Sequence, residues 1–293
     1  MKLFYDISEL GWSMYLAAHI RYLHDRNIKV AVATPNSKAV LYRGVAYEIL
    51  PMPKQYNTTY HNLPSDGNHL FDPVTNERLK DHRQLSQPFR AAYPGYRIVT
   101  KYSMFENKRV FKPYMHSTES EDFCSETFGE KLIIILFPRH RESKFKCRNI
   151  DKDYYTEIAS RLCSSFTDCR IVSIGSKEGA YNITVDSPNF YNLVGYDDDK
   201  TLDILVALCN SKRAIAAIGT QSGPVKISLL CKTPSFIYGH EETRHLVTEN
   251  WSNTETGFWK LGESEDKYIV SNFDEMYKQT FTFVIKQYKK RKK

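Results

Sequence analysis

Residues 214–239 read AIAAIGTQSGPVKISLLCKTPSFIYG. AIAAI is a strand-length apolar run, the small-residue turn GTQSGP follows it, and PSFIYG is a second apolar run beyond a Thr-Pro step. Pro224 suits the first turn of a helix, where its missing N–H costs nothing. The stretch therefore reads as strand, turn, helix, strand, the repeating unit of a parallel α/β sheet. Ligands of such sheets gather beyond the carboxyl ends of the strands, where helix N-termini offer free N–H groups and partial positive charge. Gly219 and Gly223 let the backbone approach closely, Thr220 and Ser222 supply hydroxyls, and Lys226 follows in the first helical turn. The turn reads as a phosphate cradle, against the plainer alternative of a capped helix. It is not a Walker loop, because the G-K-[ST] ending is absent, nor a nucleophile elbow, because Ser222 directly precedes Gly223.

Outward from this stretch the same alternation recurs. KLIIILF (131–137), CRIVSIG (169–175) and AIAAI are strands; between them lie helices with Tyr154, Tyr155, Ile158, Ala159 and Leu162, and with Leu202, Leu205, Val206 and Cys209, on one face. The chain opens on a smaller version: strand KLFYDI, a helix with Trp12, Tyr15, Leu16, Ile20 and Leu23 in register, and strand KVAVATP. Residues 51–128 lack long periodic runs and read as loops and short elements. A final helix with Tyr277, Phe281, Val284, Ile285 and Tyr288 is expected to pack back across the first domain. The fold class is α/β, two Rossmann-like domains facing a cleft. Residues 1–125 form the first, with a loop-rich insertion at 51–117; residues 126–272 form the second; residues 273–293 are the helix and a basic tail.

The run from Asn192 to Gly239 resembles the donor-binding half of the heptosyltransferase-like glycosyltransferases that act on bacterial lipopolysaccharide. Ser222, Gly223 and Pro224 fall on that family's Thr-Gly-Pro, and Thr233 and Pro234 fall on its later Thr-Pro without a gap. The resemblance spans about a sixth of the chain. It implies a GT-B fold, a nucleotide-sugar bound by the C-terminal domain, and an inverting, metal-independent transfer. Two positions depart from it: Gln221 replaces an acidic residue and Lys226 a histidine, both making the expected diphosphate site more positive.

Other residues join the expected donor site. FPRHRESKFK puts Arg139, Arg141 and Lys144 just beyond a strand, where guanidinium forks suit diphosphate oxygens and stabilise a leaving nucleotide. SIGSKEG is similar to the family's Gly-rich turn, so Gly175 and Ser176 are candidates for phosphate and Glu178 for a ribose hydroxyl; His240 follows PSFIYG at the same edge. An inverting transfer needs one base for the acceptor hydroxyl. Glu9, then Asp6, are the candidates in the loop after the first strand; Asp6, nearer the strand, has the alternative of satisfying local N–H groups. His61, Asp66 and His69 are candidate acceptor contacts in a tyrosine- and histidine-rich region. DKD (151–153) and DDD (197–199) precede helices and read as caps, not metal ligands.

The totals set bounds. The chain has 293 residues and 41% hydrophobic residues, enough for substantial cores. KQYKKRKK at the end holds six of the seven net positive charges, so the body is nearly neutral, which argues against a broad duplex-binding face and leaves room for a local basic groove. The tail is either a solvated helix end or a tether to anionic membrane or DNA. The six cysteines are scattered without a C-x-x-C pair, which fits reduced thiols in the cytoplasm; no run reaches the roughly 18 apolar residues of a membrane span. The expectation is a cytoplasmic glycosyltransferase with no cofactor and no metal, acting on a saccharide or glycolipid. The alternatives are transfer to a modified base in DNA, a nucleotide-sugar epimerase, and a non-catalytic nucleotide-sugar or glycan-binding protein.

Overall fold

The computed structural model describes residues 1–7, 10–54, 82–99, 110–142, 148–241 and 254–293. The chain forms two compact units, Met1–Met115 and His116–Lys293.

In the first unit, β1 (Lys2–Tyr5), β2 (Val30–Ala33), β3 (Glu48–Leu50) and β4 (Arg97–Ile98) make a parallel sheet in the order β3-β2-β1-β4. Helix α1 (Leu10–His24) buries Tyr15, Leu16, Ile20 and Leu23, four of the positions whose spacing marked it as amphipathic. Its chain reversal places Asn27 at φ 58°, a left-handed position that an asparagine tolerates. A 3-10 turn at Asn36–Leu41 follows β2. Helix α2 (His82–Ala92) sets Phe89 against Leu3, Ala31, Ala33 and Met52. The region expected to hold loops and short elements includes α2, β4 and the whole of a further helix, Thr118–Phe128.

The second unit begins with α3 (Thr118–Phe128), N-capped by the Ser117 hydroxyl accepting from the Ser120 N–H at 3.1 Å. Its sheet has six parallel strands: β5 (Leu132–Phe137), β6 (Cys169–Gly175), β7 (Phe190–Val194), β8 (Ala214–Thr220), β9 (Ser235–Gly239) and β10 (Thr256–Lys260). Their order, β10-β9-β8-β5-β6-β7, is that of the doubly wound dinucleotide fold, and it reverses direction between β5 and β8. A short antiparallel pair follows, β11 (Gly262–Glu263) with β12 (Tyr268–Ile269). Helices α4 (Lys152–Ser165), α5 (Thr201–Asn210), α6 (Gly223–Leu230) and α7 (Phe273–Arg291) connect and cover the strands.

Two expectations are corrected here. The division lies upstream of 125/126 because α3 packs on α5, and Asp203 of α5 accepts from both the N–H and the hydroxyl of Ser117 at 3.0 and 2.6 Å. The last helix packs on the second unit's own sheet: Met276, Phe283 and Val284 of α7 join Tyr155, Ile158 and Leu162 of α4 over Ile134, Leu136, Ile218 and Phe236. Its innermost face also carries Thr280 and Gln287, which an apolar pattern does not reveal; the Thr280 hydroxyl meets the Tyr238 hydroxyl at 2.9 Å.

The acidic runs play local roles. The Asp197 carboxylate accepts from the N–H groups of Asp199 and Lys200 ahead of α5, whereas Asp151 sits at the N-cap position of α4 but pairs with Lys267 at 2.8 Å. Among the described residues no group of His, Cys, Asp and Glu is arranged to hold a metal ion, and no helix is long and apolar enough to cross a membrane. The five described cysteines are buried. Much of the tail's charge is engaged within the unit: Lys286 and Lys290 meet Glu255, and Lys292 meets Asp168 at 2.9 Å.

Candidate functional site

The point where strand order reverses is where an α/β sheet opens a crevice at its carboxyl edge. In the second unit that point lies between β5 and β8, whose last paired residues are Phe137 and Gly219. Gly219 is needed there, since a Cβ would lie 2.9 Å from that of Phe137. Beyond these residues the chain places Arg139 on one side and Thr220 to Gly223 on the other.

Arg139 is buried. Its guanidinium donates to Asn149 Oδ1, and burial, then the positive charges of Arg141 and Arg148, pull its pKa down to about 10. It remains charged at neutral pH, held among like charges at a carboxyl edge. A buried cation in such a place is stabilised by any anion that binds beside it.

Across the switch point, Thr220 is fully buried and Ser222 is the N-cap residue of α6. The Ser222 side chain makes no capping bond, and its hydroxyl is buried with no partner among the described residues. Pro224 occupies the first turn, as its position in the sequence predicts. The hydroxyls of Tyr155 and Thr220 lie close enough to influence each other, yet neither achieves hydrogen-bond geometry with a described group. Burial pushes Tyr155 up to about 12, so it stays a neutral hydroxyl. Lys226 is half-buried in the first turn of α6.

Gln221 behaves differently from its neighbours. Its side chain is buried inward: the amide donates to the carbonyl of Glu241 and accepts from the Tyr268 hydroxyl at 3.4 Å. It passes so close over Gly239 that a Cβ there would lie 2.3 Å from Gln221 Cδ. The expected donor contact through the Gln221 side chain is therefore replaced by an internal role. Ser176 is likewise engaged, its hydroxyl accepting from the Gly179 N–H at 3.1 Å, and Gly175 is required because a Cβ would meet Ala180 at 2.4 Å. Glu178 is exposed on the same turn. His240 leaves β9 at this edge, its Nε2 3.7 Å from a Glu263 oxygen and its buried Nδ1 without a partner among the described residues.

Arg139, Thr220, Ser222, Gly223, Lys226 and His240 thus share one edge of one sheet. Lys144 lies outside the described residues, as do Glu9, His61, Asp66 and His69. Arg148, Asn149, Tyr155 and Tyr268 also build this edge and were not read from the sequence. Tyr155 was assigned only to a helix's apolar face, and nothing local marks a tyrosine on a two-residue strand.

In the first unit, Asp6 follows β1 and is fully buried. Its carboxylate accepts from Ser13 at 2.8 Å, Tyr42 at 2.7 Å and Lys38 at 3.4 Å, and Lys38 also donates to Ser13 at 3.1 Å. These partners are side chains from α1, the 3-10 turn and the residue that follows it, where local backbone N–H groups were the expected alternative.

No protein-family model matches the sequence, and no curated protein does. Solved structures are similar to it across nearly the whole chain. One is E. coli ADP-heptose lipopolysaccharide heptosyltransferase II: 12% identity, 98% of this chain and 99% of that one, TM-score 0.64. Another is a glycosyl transferase family 9 protein from Veillonella parvula: 10% identity, 97% of each chain, TM-score 0.57. The fold is of the GT-B type. The likeness first read from residues 192–239 thus extends, as a likeness of fold, well beyond that segment.

Proposed function

We propose that the protein is an inverting, metal-independent glycosyltransferase that binds a nucleotide-sugar at the β5/β8 edge and passes the sugar to a hydroxyl of a saccharide or glycolipid. The observation that carries the reading is the switch point itself: a buried, charged Arg139 follows β5, and the N-terminal turn of α6 follows β8, at the ends of the two central strands. A nucleoside diphosphate supplies the anion that both elements favour, oxygens for the guanidinium and for the free N–H groups of α6. As the sugar departs, negative charge grows on the terminal phosphate, and fixed cationic groups stabilise it. That task falls to Arg139, with Arg141 two residues on and Lys226 in the first turn of α6. The ADP-heptose donor in the name of the E. coli neighbour agrees with this class of ligand. Glu9 is our candidate for the base; Asp6, fully buried and engaged by three donors, is better suited to holding the β1 edge together.

Thermal shift with ADP, UDP, GDP and CDP and their sugars, with and without magnesium, tests the donor class. A ligand at a hundredfold over its dissociation constant stabilises the native state by about 2.7 kcal/mol. One diphosphate family is expected to raise the midpoint without metal, and Arg139→Ala to abolish the rise. A silent panel would reduce the α6 turn to an ordinary helix start.

A further inference from the structure

A chain of largely buried polar groups underlies the candidate donor edge. The Arg139 guanidinium donates to Asn149 Oδ1, and Asn149 Nδ2 donates to the Arg141 carbonyl at 2.7 Å. The Asn149 carbonyl accepts from the Tyr268 N–H at 2.8 Å, and the Tyr268 hydroxyl donates to Gln221 Oε1 at 3.4 Å. Gln221 Nε2 then donates to the Glu241 carbonyl. The orientation of that amide follows from chemistry: a carbonyl only accepts, so the NH2 faces Glu241 and the oxygen is left for Tyr268. Asn149, Tyr268 and Gln221 are all buried, and Gly239 leaves open the space that Gln221 fills.

We propose that Asn149, Tyr268 and Gln221 are positioning residues that hold the loop after β5, the turn after β8 and the loop after β9 in one register. The functional part of this inference rests on reading that edge as the donor site. Residue 221 must donate on one side and accept on the other, which an amide does at every pH. An ionised carboxylate has no donor and would face the Glu241 carbonyl with negative charge. A protonated carboxylic acid has one O–H and one carbonyl oxygen, so it reproduces the amide's two bonds. The variant Gln221→Glu therefore carries its own control: in acid it mimics the wild type, and on ionising it breaks the chain of bonds. Burial raises that carboxyl's pKa above its usual value of about 4.3, and the bonds are lost as pH rises through the raised value.

Two measurements on the full chain test this. Amide hydrogen exchange without ligand compares the wild type with Tyr268→Phe, which removes one hydroxyl and keeps the packing. Exchange is expected to quicken together at residues 139–141 and 240–241, on either side of the substituted strand. Faster exchange confined to residues 268–269 overturns the proposal. Affinities for ADP, UDP, GDP and CDP are then measured from pH 5.5 to pH 8, each variant as a ratio to the wild type at the same pH. Tyr268→Phe is expected to bind the preferred diphosphate about tenfold more weakly. Gln221→Glu is expected to match the wild type at the acid end and to weaken at least tenfold by the alkaline end. A ratio constant across pH overturns the role of Gln221. If the wild type binds none of the four, the donor reading fails, while the exchange experiment still decides whether the three segments are coupled.

Discussion

A single carboxylate anchors the first unit. Asp6 is fully buried and its partner Lys38 nearly so, which makes the pair costly to break from one side. Asp6→Ala removes the carboxylate that a buried ammonium is paired with and should destabilise by about 3–5 kcal/mol. Chemical denaturation measures the loss; unchanged stability accompanied by lost turnover would return Asp6 to the role of base. Gly239 makes the opposite kind of demand, for space. Gly239→Ala drives a methyl into the buried Gln221 side chain and should cost about 1–3 kcal/mol. A stability equal to that of the wild type would mean that Gln221 has room to move. Both residues also show where sequence reading stopped. The turn GTQSGP was legible as a strand-to-helix turn because its small residues end a strand and its proline suits a helix start. Nothing in the letters said that Gln221 points inward while the Ser222 hydroxyl is buried with no partner among the described residues, since that choice depends on Gly239, Tyr268 and Glu241 arriving from elsewhere in the chain.

At the scale of elements, the buried strands were the most readable. LIIILF and AIAAI are apolar throughout because helices cover both faces of their sheet, and a run of that kind has few other readings. The edge strand β10, TGFWK, is only half-buried and forms no such run, and β12 has two residues, too few for any periodicity. Helix α7 was legible as a helix but not in its docking, because Thr280 and Gln287 face inward among its apolar residues. That helix is also fastened by charge. Hydrogen bonds from Lys286, then Lys290, hold the Glu255 carboxyl down to about 2. Its folded value lies below the unfolded one, so the stabilisation is present above about pH 4.3 and is lost as pH falls toward 2. Since this carboxylate is partly exposed, the gain at neutral pH should stay under about 1 kcal/mol. Glu255→Gln should therefore melt slightly below the wild type at pH 7 and level with it near pH 2. A gap that persists undiminished in acid would assign the effect to packing.

The molecule as a whole is two units, each with its own parallel sheet and its own core. Chains built this way commonly depart from a single all-or-none transition. Calorimetry should resolve more than one unfolding step, and the preferred nucleoside diphosphate should raise the step that belongs to residues 116–293. One sharp transition that ligand moves intact would mean that the units unfold as one. The alternation of strands and helices made this division visible in the sequence, but the boundary was displaced because α3 belongs by packing to the sheet that follows it. The strand order has a further consequence, in time. Strands β5 and β8 are neighbours at the centre of the second sheet, yet about eighty residues of chain separate their paired ends. Pairings that close so long a loop form slowly, after local turns and helices have appeared. The two walls of the candidate donor edge therefore meet late in the folding of the unit, and a nascent chain ending before β8 has Arg139 and Asn149 but not the turn GTQSGP.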